Sequence, residues 1–162
     1  MKTERCVLMA DDDANDVFLL QRAFRDAEIP NPLRAVRDGQ EAIDYLSGAG
    51  AFANRARFPF PFLLILDLKM PRKTGMDVLQ WLRNREGLCC LPVIMFSSSA
   101  HPSDVEKAYR LGVNAFVVKP SGVPQRTELA RMIKGFWLTF NEPPLICTEG
   151  LDAAQRALRT DT

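Results

Sequence analysis

Three consecutive carboxylates, Asp11-Asp12-Asp13, directly follow one apolar run, and Asp67 follows another. Two further apolar runs lead into Ser97-Ser98-Ser99 and into Lys119-Pro120. If these groups meet, their types define the chemistry. Carboxylates brought together repel, and the repulsion raises a pKa unless a cation relieves it. Oxygen-only ligands suit Mg²⁺, which keeps several waters and binds through one or two carboxylates plus a phosphate. A lysine and a hydroxyl aimed at the same point donate to a transferred phosphoryl group. The set predicts an acidic magnesium pocket in which one carboxylate takes a phosphoryl group as an acyl phosphate. Asp67 is the candidate nucleophile, because it ends the most hydrophobic strand and so belongs at the centre of a sheet.

The elements that must position these residues alternate along the chain. Residues 6–10, 31–36, 62–66, 92–96 and 115–118 read as strands. Residues 62–66 are all apolar without alternation, the pattern of a strand covered on both faces. Between the strands lie helical patterns. Val17, Leu20, Phe24 and Ala27 form one helix face, with Asp13 placed to cap it. Further helices read at 39–46, 75–85, 103–111 and 127–140. Gly112 stands where helices end, and the last helix carries Leu129, Met132, Ile133, Phe136 and Phe140 on one stripe. Residues 47–61 are a loop punctuated by Gly and Pro. Five strands separated by helices imply an α/β fold: a doubly wound parallel sheet with helices on both faces. Ligands of such sheets bind beyond the carboxyl ends of the strands, where all the groups above would converge.

Composition narrows the class. The chain has 162 residues, 47% hydrophobic and 25% charged, which excludes disordered, collagenous and coiled-coil classes. Its formal charge of +1 excludes a nucleic-acid binder held by bulk charge. The four cysteines form no C-x-x-C pair and His101 is the only histidine, so a zinc site is not expected. Cys89 and Cys90 read as packing residues or idle thiols, and His101 as a helix cap or flank. No apolar stretch approaches the roughly 20 residues of a membrane span. A reducing cytoplasm is the expected compartment.

With these residues in view, the sequence resembles the receiver domain of two-component response regulators. The motifs are Leu8-Met9-Ala10-Asp11-Asp12-Asp13, Leu66-Asp67-Leu68-Lys69-Met70-Pro71, Gly75, Val93-Ile94-Met95-Phe96-Ser97-Ser98 and Val117-Val118-Lys119-Pro120. Asp12 to Asp67 is 55 residues, Asp67 to Ser97 is 30, and Ser97 to Lys119 is 22. The resemblance implies a flavodoxin-like fold with strand order 2-1-3-4-5. It implies Asp67 as phosphoacceptor, Asp12 as a direct Mg²⁺ ligand, Asp11 acting mainly through water, and the Lys69 backbone carbonyl as a further ligand. Ser97 matches the switch hydroxyl, and Lys119 the family's lysine, followed in many members by a cis peptide, here to Pro120. Phe116 takes the place of a switch aromatic that is often Tyr, so a rotamer change there acts by packing alone. The segment 67–75, the long 47–61 loop and the Phe136-Trp137-Leu138-Thr139 ending are similar to small stand-alone regulators associated with phytochrome-type histidine kinases.

The function this implies is a phosphorylation-controlled switch of protein–protein interactions, charged by a sensor histidine kinase, with a bacteriophytochrome as the implied kinase. It is a phosphoacceptor signalling protein, with self-catalysed phosphotransfer and dephosphorylation only. A haloacid-dehalogenase-like phosphatase also uses an aspartyl nucleophile, but needs a second Asp two residues on, where Lys69 stands. A flavin-binding protein needs a phosphate-cradling loop where three carboxylates stand. A receiver-like scaffold that no longer takes phosphate is the remaining alternative. The expected layout is a receiver over 1–140 and a tail over 141–162 with a short helix at 150–159, too short for an output domain. Trp137 and Leu138 widen the apolar stripe beyond one core face, which with Phe136 marks an expected interface. Leu145 and Ile146 of the tail could cover that face within one chain or across a homodimer. The face of the fourth helix, fifth strand and fifth helix is the other expected dimer surface. Nucleic acid and membrane are not expected partners.

Overall fold

A computed structural model describes residues 5–143. Strand β1 (Cys6–Ala10) is followed by α1 (Ala14–Asp26), β2 (Leu33–Val36) and α2 (Gly39–Ser47). Strand β3 (Pro61–Leu66) leads to α3 (Gly75–Arg83), β4 (Val93–Ser97) and α4 (Pro102–Arg110). The described chain closes with β5 (Ala115–Val118) and α5 (Val123–Ile133), which runs into a π-helical segment, Lys134–Phe140. All strand pairs are parallel, in the order β2-β1-β3-β4-β5.

The unbroken apolar strands are explained by two cores. Successive side chains of a strand point to opposite faces. Leu8, Leu64, Leu66, Val93 and Met95 point to one face, where Tyr45, Leu46, Val78, Leu79 and Leu82 of α2 and α3 pack. Val7, Met9, Leu63, Ile65, Ile94 and Phe96 point to the other, against Leu20 and Phe24 of α1 and Ala130 and Ile133 of α5. Each of these strands therefore needs apolar residues at every position.

Helix starts follow local chemistry. Asp13 accepts from the Asn15 N–H and caps α1, Asp38 caps α2 through Glu41, and His101 caps α4 through Ser103. Thr74 and Asp77 form a reciprocal capping box on α3. The 47–61 loop is tied down by Arg55, which donates to the carbonyls of Tyr45 and Leu46 at 2.7 and 2.9 Å. The rings of Tyr45, Phe52 and Phe58 pack on one another, and the Arg55 guanidinium lies over the rings of Tyr45 and Phe60.

The end of the chain departs from expectation. Helix α5 starts at Val123 rather than 127, because Pro124 lies in the first turn, where its missing N–H costs no helical bond. The expected stripe of Leu129, Met132, Ile133, Phe136 and Phe140 does not stay together. Ile133 is buried, whereas Met132, Phe136 and Phe140 are exposed. Trp137 and Leu138 pack on the α1 core instead. Small Ala130 lets α5 approach α1 closely, and that contact selects which of two overlapping apolar stripes turns inward. The wider π turn then carries 137 and 138 onto the inner side.

Gly75 opens α3 directly beneath the Asp67 carbonyl, and a methyl group there would collide with that backbone oxygen. Its N–H donates to Leu68 O at 2.9 Å, fixing the chain after β3. Gly75→Ala is expected to destabilise the protein by about 1–3 kcal/mol, read as a lowered urea midpoint with unchanged slope.

Candidate functional site

Register brings the chemistry to one edge of the sheet. Ala10 of β1 pairs with Leu66 of β3, so the next residues, Asp11 and Asp67, are neighbours. Asp67 N–H donates to Ala10 O at 2.9 Å, and Asp11 N–H to Val36 O at 3.1 Å. On the other side Ser97 ends β4, paired with Val118, and accepts the Lys119 N–H at its carbonyl at 2.7 Å. Four strand ends thus present Asp11, Asp67, Ser97 and Lys119 to one pocket.

The carboxylates lie close. Single oxygens of Asp11, Asp12 and Asp67 all sit within 4.8 Å of one another. Asp11 is buried, Asp67 nearly so, and Asp12 is exposed. Asp11 Oδ1 accepts the Asp13 N–H at 2.9 Å, and Asp67 Oδ1 accepts the Leu68 N–H at 2.9 Å. Lys119 Nζ stands 2.8 Å from Asp11 Oδ2, 2.8 Å from Asp16 Oδ2 and 3.5 Å from Asp67 Oδ1. Its other flank is the Phe96 ring, 5.7 Å away at the centroid.

Asp16 and Arg126 are the members that sequence reading missed. Asp16, in the first turn of α1, accepts from Lys119 through one oxygen and from Arg126 through the other, at 2.8 and 2.9 Å. A sequence signal existed for Arg126. It falls on the inward stripe with Ala130 and Ile133, at helical spacing, and a buried cation there demands a partner. No local spacing names Asp16 as that partner.

The electrostatics follow from this packing. Burial and then the neighbouring Asp11 charge push the Asp67 carboxyl from its ordinary 3.8 to about 6, against the pull of Lys119. Burial alone would lower the Lys119 ammonium, but its hydrogen bonds and charge contacts to Asp11 and Asp16, and the charge of Asp67, hold it above its ordinary value. Burial alone would raise Asp16, and its bonds to Lys119 and Arg126 more than offset this.

The pocket fits a hard divalent cation. Four carboxylates, Asp11, Asp12, Asp16 and Asp67, face two cations, Lys119 and Arg126, which leaves two negative charges uncompensated. The buried Asp11 Oδ2 has no directed hydrogen bond, despite its 2.8 Å approach to Lys119. The donor set of Asp11, Asp12 and Asp67 is oxygen only.

The remaining expected residues are placed as follows. Lys69 lies two residues beyond Asp67 with its side chain exposed. The Ser97 side chain is buried and its Oγ accepts the Ser99 N–H at 3.3 Å. Phe116 is half-buried on β5 and packs on the α2–α3 core. No described peptide bond is cis, so Lys119–Pro120 is trans, contrary to the expectation. Phe136 is exposed, Trp137 and Leu138 are half-buried, and Leu145, Ile146 and the 150–159 segment lie outside the described residues.

A parallel sheet of this order, with an aspartate-rich pocket at its carboxyl edge, defines a receiver. The family described as response regulator receiver domain matches residues 7–134, and the chain belongs to that family of signalling proteins. It is 30% identical over 134 residues to the response regulator Rcp1 of Synechocystis sp., covering 83% of this chain and 89% of that one. A Mn²⁺-bound form of Rcp1 superposes with a TM-score of 0.77 at 29% identity, covering 86% of this chain and 99% of that one. The phosphorylated cyanobacterial phytochrome response regulator RcpA gives 0.80 at 31% identity, covering 87% and 99%. The bacteriophytochrome response regulator RtBRR gives 0.69 at 37% identity, covering 97% and 94%. Among the described residues, no helix is long and apolar enough to cross a membrane.

The raised Asp67 carboxyl sets a pH dependence. The folded protein holds this proton more tightly than the unfolded chain, so ionising Asp67 subtracts stability. In metal-free protein that loss develops as pH rises from 3.8 to about 6 and is complete above that window. Asp67→Asn is expected to stabilise metal-free protein above neutral pH, by on the order of 2 kcal/mol. The gain disappears below the window and shrinks when Mg²⁺ is added, both read from urea midpoints.

Proposed function

We propose that the protein is a phosphorylation-controlled switch in which Asp67 accepts a phosphoryl group from a sensor histidine kinase. The observation that carries this reading is the convergence of Asp11, Asp12 and Asp67 within 4.8 Å, with Lys119 Nζ 3.5 Å from Asp67. A carboxylate oxygen of Asp67 attacks the phosphorus of a phosphohistidine, the P–N bond breaks, and the leaving imidazole takes up a proton. Asp11, Asp12, Asp67 and the Lys69 carbonyl would hold Mg²⁺, which when bound would supply charge neutralisation for the phosphoryl oxygens. Lys119 supplies a fixed positive charge beside the phosphoryl group, and the buried Ser97 hydroxyl supplies a donor at the end of β4. Transfer and hydrolysis are the only reactions the site performs, and both act on its own Asp67.

The similarity to RcpA and RtBRR supports a phytochrome-type kinase as the donor. Residues 1–140 form the receiver in this reading, and 141–162 a tail. The output is a change in protein partners in the cytoplasm, through the face of α4, β5 and α5. Tyr109, Val118, Met132, Phe136 and Phe140 leave large apolar groups exposed there and beyond, which supports a homodimer through this face. The tail, with Leu145 and Ile146, is the second candidate contact.

Incubation with acetyl phosphate and Mg²⁺ is expected to give one acid-stable, base-labile phosphoryl adduct by intact mass. Asp67→Asn should abolish it, and chelation of the metal should reduce it at least tenfold, a loss of about 1.4 kcal/mol of transition-state stabilisation. An adduct that survives Asp67→Asn rules the reading out. For the dimer, Phe136→Glu with Phe140→Glu should shift the sedimentation coefficient to that of the monomer without changing the adduct yield. A monomer before and after substitution removes that part.

A further inference from the structure

Lys119 Nζ stands 2.8 Å from oxygens of both Asp11 and Asp16, and its one directed side-chain hydrogen bond goes to Asp16. Asp67 stands at 3.5 Å, beyond ordinary hydrogen-bond distance. Asp16 is itself clamped. One oxygen takes Lys119 and the other takes NH2 of Arg126. The Arg126 side chain is only 8% exposed, and its Nε and NH1 are buried without hydrogen-bond partners. Asp16 is therefore the carboxylate that keeps this guanidinium in the interior. A phosphoryl group on Asp67 brings strong acceptor oxygens and extra negative charge beside Nζ. Drawing Nζ closer to an oxygen on Asp67 competes with its 2.8 Å contacts to Asp11 and Asp16. Asp16 is the easier to leave, because Arg126 continues to neutralise it.

We propose that Asp16 is a positioning residue that holds Lys119 back from Asp67, and that Arg126 sets the strength of that hold from the first turns of α5. The proposal rests on Asp67 being the phosphoacceptor. It assigns a role to two residues outside the carboxylate cluster that binds the metal. Removing Asp16 frees Lys119 for the phosphoryl group. Removing Arg126 leaves Asp16 with Lys119 as its sole cation and tightens the hold. The two substitutions therefore act in opposite directions, and Arg126 acts only through Asp16.

The test is a double-mutant cycle on the full chain, with initial adduct formation from acetyl phosphate and Mg²⁺ read by intact mass. Asp16→Asn is expected to raise the rate, and Arg126→Gln to lower it, each by about fivefold to tenfold. The double variant should match Asp16→Asn alone. If the two effects simply add in the double variant, through-space charge accounts for them and the proposal fails. It also fails if both single variants slow the reaction alike, the result of a structural role. The Lys119 ammonium ¹H–¹⁵N signal provides a readout that needs no phosphorylation. It should shift in Asp16→Asn and return toward its wild-type position in Asp16→Glu, which restores a carboxylate. An unmoved signal overturns the proposal even if Arg126→Gln does not fold. Absence of any adduct on wild type would instead defeat the phosphoacceptor reading, while the Lys119 signal still decides the hold of Asp16.

Discussion

One buried ammonium allows the rest of the site to exist. Asp11 and Asp67 project from adjacent central strands, and their proximity is fixed by the β1–β3 register. Without a cation, two nearly buried carboxylates at that distance would not both ionise. Lys119 reaches between them from the end of β5, which β3 and β4 separate from β1. Burial first, and then the Asp11 charge that Lys119 offsets only in part, keep the Asp67 carboxyl raised. That residue of unrelieved charge is what a divalent cation would neutralise. A pocket fully neutralised by its own side chains would attract a divalent cation less, and one with no internal cation would hold its carboxylates partly protonated.

The sheet makes the distances possible by backbone bonds rather than side-chain contacts. Asp67 is pinned through Ala10 O, Lys119 through Ser97 O and Asp11 through Val36 O. Each link joins a site residue to the neighbouring strand, so no site residue can move without straining the ladder. The loop after β3 is fixed from below as well, by Gly75 against the Asp67 carbonyl and Gly39 packed on Lys73. Arg72 has a left-handed backbone, φ 66°, and pairs with Asp38 at 3.3 Å, which joins this loop to the start of α2. The chemistry is thus carried on short loops whose ends the rigid strands hold.

Much of this was legible in the sequence where the signal is local. Residues 62–66 announce a strand with two buried faces, and the two cores confirm why. Asp13 and His101 cap the helices that follow them, as their positions suggest. Asp11, Asp67, Ser97 and Lys119 could be grouped because each ends or follows a strand. What could not be read is pairing across the fold. Asp16 looks like an acid in a helix's first turn, and its bonds to residues 103 and 110 positions away leave no trace in its neighbours. The stripe on α5 failed for the same reason. Two apolar stripes overlap there, and only the approach of α1 decides that Trp137 and Leu138 turn inward while Phe136 turns out.

Helices α1 and α5 then emerge as one body rather than two covers on a sheet. Near the site they are joined by Asp16 and Arg126 at 2.9 Å. At the far end Lys134 donates to the carbonyls of Ala27 and Glu28, at 3.1 and 2.9 Å, satisfying the C-terminus of α1. Between these two polar joints lie Leu20, Phe24, Ala130 and Ile133, packed without exposed gaps. Immediately beyond the second joint the backbone changes to the π form and Phe136 and Phe140 face outward. A single carboxylate, Asp16, bridges Lys119 and Arg126, and Arg126 stands on the same helix as the residues before those exposed rings. Packed helices move as units because their interfaces are close-packed. The carboxylate pocket and the apolar surface are thus linked by one ion-pair bridge, one helix, and the change of helical form that ends it.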